Sequence, residues 1–230
     1  MKRPNLLVIN PNSSPVMTGD IEATVQVLSG RLHFDFVVTS TPGAPDVLES
    51  FRDYTLAGAS VLQRLAKQQP DHFDGLLLAC FGDPALYALK EQVLLPVTGI
   101  AEASFSLALL LGYRFGILAA SAKAKPMMES LVLSYGLQAR LAGVAALEVP
   151  IGDFAGRPGS LEDLMVEKCE SLRQAGAEVI ILGCAGMTGV GARLQQRTGL
   201  TVIDPVVAGC TALWQMIAGG FCPSRTGLYA

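Results

Sequence analysis

Short apolar runs alternate along the chain with longer stretches whose apolar residues recur at helical spacing. Leu6–Ile9 reads as a buried strand. Ser14 then Pro15 starts a helix, a hydroxyl N-cap followed by proline at the first helical position, running to about Ser29 with Gly30 behind it. His33–Val38 predicts a second strand. A Pro/Gly-rich loop through Pro45 leads to a helix that ends near Gln69, before Pro70. Gly75–Ala79 is wholly apolar, as in the middle of a parallel sheet. Asp83-Pro84 looks like a cap and first turn, and Val97-Thr98 makes a fourth short strand.

The plan then repeats. Strands are predicted at Arg114–Ala119, Ala145–Val149, Glu178–Leu182 and Leu200–Ile203. Helices are predicted over Lys125–Ser134, from the capping-box-like Ser160-Leu161-Glu162-Asp163 to Gln174, up to Thr198 with Gly199 as its stop, and over Val206–Gly219. Such alternation implies parallel sheets covered by helices. The expected fold is α/β: two similar lobes, each a short parallel sheet flanked by helices, related by pseudo-twofold symmetry with the site between them. Residues 1–99 plus 206–230 form the first lobe in this reading and 100–205 the second.

Two cysteines occupy matching places in the two halves. Cys80 follows the third strand of the first half and Cys184 the third strand of the second. Their separation, 184 − 80 = 104, is close to the offset between the first strands, 114 − 6 = 108. Ligands of open parallel sheets bind beyond the carboxyl ends of strands. Facing lobes therefore place the two cysteines on opposite walls of one cleft.

Composition narrows the options. The chain has 230 residues, half of them hydrophobic and only 16% charged, which is enough to bury a core. A net charge of −3 without a Lys/Arg cluster argues against nucleic acid as a partner. The apolar run after Arg3-Pro4 is too short for a signal-peptide core, and Ile100–Leu111 is too short to span a bilayer, so a cytoplasmic protein without a membrane partner is expected. Five scattered cysteines with no C-x-x-C pair disfavour disulfides and a structural metal site. Cys169, Cys210 and Cys222 read as packing or incidental residues, and neither His33 nor His72 has a partner at metal spacing. The glycines from Gly183 to Gly191 do not match a dinucleotide fingerprint.

Two facing thiols suit a reaction that removes a proton from one face of a carbon and returns it to the other, because forward and reverse directions need the same two groups. Each cysteine is expected to precede a helix start, whose partial positive charge would lower the thiol pKa and leave one thiolate and one thiol at neutral pH. The turns Phe81-Gly82 and Ala185-Gly186 offer backbone N–H groups for the charge that develops. Asn10, Ser13, Ser14 and Ser121 supply polar groups at other strand ends, while Asp83 and Glu102 read as helix-terminal carboxylates.

The segments Val8-Ile9-Asn10-Pro11-Asn12-Ser13-Ser14, Ala79-Cys80-Phe81-Gly82-Asp83-Pro84, Gly99-Ile100-Ala101-Glu102-Ala103 and Leu182-Gly183-Cys184-Ala185-Gly186-Met187 resemble the aspartate/glutamate racemase superfamily, and within it the hydantoin racemases. The resemblance implies a two-lobed fold, catalytic Cys80 and Cys184, no metal, no cofactor and a homo-oligomer acting on a small molecule. The turns after both cysteines are more apolar than in the amino-acid racemases. A neutral 5-substituted hydantoin is therefore expected as substrate, allantoin first. A general hydantoin racemase, maleate isomerase or arylmalonate decarboxylase chemistry, and a non-catalytic two-lobed binding protein remain as alternatives.

Overall fold

The computed structural model describes residues 3–67, 70, 72–150 and 161–229. Strands β1 (Asn5–Ile9), β2 (Asp35–Thr39), β3 (Gly75–Leu78) and β4 (Val97–Gly99) form one parallel sheet in the order β2-β1-β3-β4. Strands β5 (Phe115–Ala119), β6 (Leu141–Ala146), β7 (Val179–Leu182) and β8 (Thr201–Ile203) form a second in the order β6-β5-β7-β8. Matching β1–β4 to β5–β8 makes the two orders identical. The third strand of each sheet, β3 and β7, is buried throughout, which explains its unbroken apolar sequence.

The described helices are α1 (Pro15–Leu32), α2 (Phe51–Lys67), α3 (Leu86–Gln92), α4 (Ile100–Leu111), α5 (Ala124–Ser134), α6 (Glu162–Gln174), α7 (Gly191–Thr198) and α8 (Pro205–Ala218). Two of them cross between sheets. α4 leaves the end of β4 and packs on β7 and β8, whereas α8 leaves the end of β8 and packs on β3 and β4. They also pack on each other. One apolar core consequently runs from the first sheet to the second. Phe105 of α4 sits in its middle, with Phe81 edge-on at 5.7 Å and Phe115 of β5 at 5.6 Å.

Several local expectations shift. Gly30 does not stop α1, which continues to Leu32. His33 is not in a strand: it takes φ 57° as the left-handed C-cap of α1, its N–H reaching the Ser29 carbonyl, and β2 begins at Asp35. The strand expected at Ala145–Val149 lies at Leu141–Ala146. Its Ala142-Gly143 sequence resembles a loop, yet the small residues leave room for Leu172 of α6, which also covers Gly116. Asp83 does not cap the helix after it. α3 starts from Ala85 without a side-chain cap, and the Asp83 carboxylate reaches α4 instead. The expected capping residue Ser160 and helix end Gln69 lie outside the described residues. Among the described residues no helix is long and apolar enough to cross a membrane.

Candidate active site

The carboxyl ends of β3 and β7 meet at one cleft of about 560 Å³, measured with its open mouth. Cys80 enters it from the first sheet and Cys184 from the second, with Phe81, Ala185 and Ser121 beside them. Both cysteines are free and half-buried. The remaining wall is largely apolar, including Leu48, Met17, Met127 and Met128. Among the described residues no cluster of three His, Cys, Asp or Glu is placed to hold a metal ion.

Each thiol receives a backbone N–H from the residue two places on. Gly186 N lies 3.3 Å from Cys184 Sγ, and Gly82 bonds Cys80 in the same sense. These bonds favour the thiolate, but burial outweighs them. Removal from water pushes the Cys184 thiol up to about 11, with the negative Glu49 adding to the rise. Cys80 is raised further, by burial first and then by the charges of Cys184 and Asp83. The expected depression by helix N-termini is therefore corrected. The helix after Cys80 begins only at Leu86, and desolvation dominates at both thiols. Both thiols are protonated at neutral pH.

Asn10, Ser13, Ser14, Gly82 and Gly186 do not line the cleft. Asn10 is buried, and its side-chain amide donates to Asn12 Oδ1 at 2.7 Å and to Thr18 Oγ1 at 3.0 Å. It shapes the turn that delivers Asn12 to the cleft wall. Ser13 donates its backbone N–H to the Pro45 carbonyl at 3.1 Å. Ser14 caps α1, its hydroxyl accepting from Met17 N at 3.3 Å. Gly82 is where Tyr54 comes closest to the Cys80 turn, and a Cβ there would overlap the phenol ring.

Tyr54 and Glu49, along with Asn12, are the polar cleft residues that the sequence reading missed. Both come from the segment between β2 and the first turn of α2. Burial and the neighbouring cysteines hold the Tyr54 hydroxyl well above the ordinary phenol value, so it is a neutral donor. Its only hint in the sequence was a tyrosine near the start of a helix behind a long Pro/Gly-rich loop.

The arrangement defines a two-lobed α/β protein with a thiol on each wall of an apolar cleft. Residues 6–213 match the Asp/Glu/Hydantoin racemase family model, and the chain belongs to that family. It is 36% identical to the hydantoin racemase of Pseudomonas sp. (strain NS671) over 203 residues, covering 88% of this chain and 81% of that protein. In structure it is similar to the allantoin racemase from Klebsiella pneumoniae, with a TM-score of 0.92, 28% identity, and coverage of 99% of this chain and 93% of that one. The allantoin racemase of Pseudomonas fluorescens superposes with a TM-score of 0.89 and 28% identity over 98% of this chain and 96% of its own.

Proposed function

We propose that this racemase interconverts the enantiomers of a 5-substituted hydantoin, allantoin first, with Cys80 and Cys184 as its two bases and no cofactor. The observation that carries the reading is the entry of both thiols into one cleft from the ends of equivalent strands. The lobe boundaries at 1–99 with 206–230 and at 100–205 belong to the same proposal, supported by the packing of α8 on β3 and β4.

The chemistry is symmetric. One cysteine, as thiolate, takes the C5 proton, and the electron pair moves into the adjacent carbonyl. The opposite thiol delivers its proton to the other face and becomes the thiolate. A thiol raised by burial is rarely ionised but is a stronger base once it is, which suits a weakly acidic C–H. The Gly82 and Gly186 N–H groups stabilise the thiolate form. Tyr54 and the backbone of the two turns supply donors for the negative oxygen of the intermediate. The largely apolar wall favours a neutral ring over a dicarboxylate.

The test is the loss of optical activity of one allantoin enantiomer in D2O, with proton NMR of C5–H and a buffer blank. Acceleration with deuterium at C5, reduced by about 10²- to 10⁴-fold in Cys80→Ser and in Cys184→Ser, is expected. Turnover of alkyl hydantoins alone would change the substrate and keep the mechanism. Absence of exchange with every hydantoin would end the racemase reading.

A further inference from the structure

We propose that Asp83 and Asp204 are a matched pair of positioning residues, each latching one cysteine turn to the N-terminus of the helix that crosses to the other sheet. The assignment of a substrate face to each latch rests on the racemase reading; the latches themselves do not.

In the first half, Cys80–Asp83 is a tight turn closed by the Asp83 N–H on the Cys80 carbonyl at 3.0 Å. Asp83 has φ 42° and Ala85 φ 60°, a left-handed conformation that costs a non-glycine residue about 1 kcal/mol or more. The buried carboxylate offsets that strain. It accepts from Ala101 N at 3.1 Å and Glu102 N at 2.8 Å, in the first turn of α4. Gly99, the N-cap of α4, is where the carboxylate rests, and a Cβ there would overlap it.

In the second half the carboxylate comes from the opposite partner. Asp204 is itself the N-cap of α8, accepting from Val206 N at 3.0 Å and Val207 N at 3.3 Å. It reaches back to the turn that follows Cys184, accepting from Gly189 N at 2.7 Å and from the Thr188 hydroxyl at 2.9 Å. Thr188 also stands 3.0 Å from the Thr24 hydroxyl of α1. The turn itself closes with Met187 N on the Cys184 carbonyl at 3.1 Å.

The two halves therefore exchange donor and acceptor roles. Where the second half has Asp204 as the cap of its crossing helix, the first has Gly99. Where the first half has Asp83, three residues after the cysteine, the second has Met187. Simple inheritance from a repeat would leave the carboxylates at equivalent positions. Instead the same tie is built from non-equivalent residues, and each tie fixes the turn whose N–H points at a thiol.

Two sets of variants test the pair. Asp83→Asn and Asp204→Asn are assayed for C5–H exchange in D2O with each hydantoin enantiomer separately. Cys80→Ser and Cys184→Ser identify which enantiomer each thiol deprotonates. Asp83→Asn should slow exchange of the Cys80 enantiomer by up to about 100-fold, and Asp204→Asn that of the Cys184 enantiomer, because small misplacements of a reacting group have effects of that order. Gly99→Ala and Thr188→Val leave both aspartates in place and disturb one latch each. Peptide mapping after iodoacetamide should show Gly99→Ala changing the labelling rate of Cys80 alone, and Thr188→Val that of Cys184 alone. Equal slowing of both enantiomers, faster exchange in Asp83→Asn, or equal labelling changes at both thiols would overturn the proposal. A wild-type protein that exchanges no hydantoin would end the racemase reading, while the labelling would still decide the latches.

Discussion

The raised thiols make a quantitative prediction that needs no substrate. Cys184 is pushed up to about 11 from an ordinary thiol value of 9.0 by burial, against the lowering effect of the Gly186 and Met187 N–H groups. A rise of about two pH units corresponds to roughly 2.7 kcal/mol against the thiolate. At pH 7 a thiol of pKa 9 is about 1% ionised and one of pKa 11 about 0.01%, so Cys184 should alkylate about 100-fold more slowly than an ordinary thiol of equal access. Cys222 is exposed on the same chain and serves as the internal reference. Iodoacetamide labelling across pH 6–11, resolved by peptide mass spectrometry, should show Cys222 reacting first. The Cys184 rate should climb about tenfold per pH unit up to about pH 10 without levelling off. A plateau below pH 8, or Cys184 labelling ahead of Cys222, would refute the reasoning and restore a helix-terminus effect as dominant.

Other perturbations should follow from the same contacts. Gly82→Ala forces a Cβ into the Tyr54 ring and should cost about 1–3 kcal/mol by chemical denaturation, together with a loss of racemisation. Ser14→Ala removes the cap of α1 and should cost about 1 kcal/mol, with KM unchanged because Ser14 stands outside the cleft lining. Leu172→Ala opens a hole under α6 in the second core and should cost about 2–5 kcal/mol in urea unfolding, with activity per folded molecule retained. Because the Cys184 thiol is raised in the folded chain, the unfolded chain loses its proton first. That contribution to stability is complete below about pH 9 and is lost as pH rises towards 11, so Cys184→Ala should flatten the alkaline fall in melting temperature.

The parallel sheets were legible because their central strands are buried on both faces and carry runs such as Gly75–Leu78 and Val179–Leu182. The matched cysteines were legible because the repeat places them at equivalent strand ends. Tyr54 and Glu49 were not, since a loop held by tertiary contacts carries them to the cleft and no periodicity records such contacts. The reach of Asp83 to the Glu102 N–H spans 19 residues, so the local signal Asp83-Pro84 pointed to the wrong helix. The thiol pKa was misjudged because a sequence displays nearby helix starts but not the depth of burial, and burial was the larger effect.

The crossing of α4 and α8 has a consequence for how such a protein could be divided. Cut after α4, the leading half would keep its four strands but lose α8, the helix that covers β3 and β4. The trailing half would keep α8 with no sheet of its own to lay it on, and would lack α4 for β7 and β8. A half-length chain of this design could close its core only by trading its terminal helix with a twin. The covalent join between the halves makes that trade permanent, and it keeps the two walls of the cleft together at any dilution.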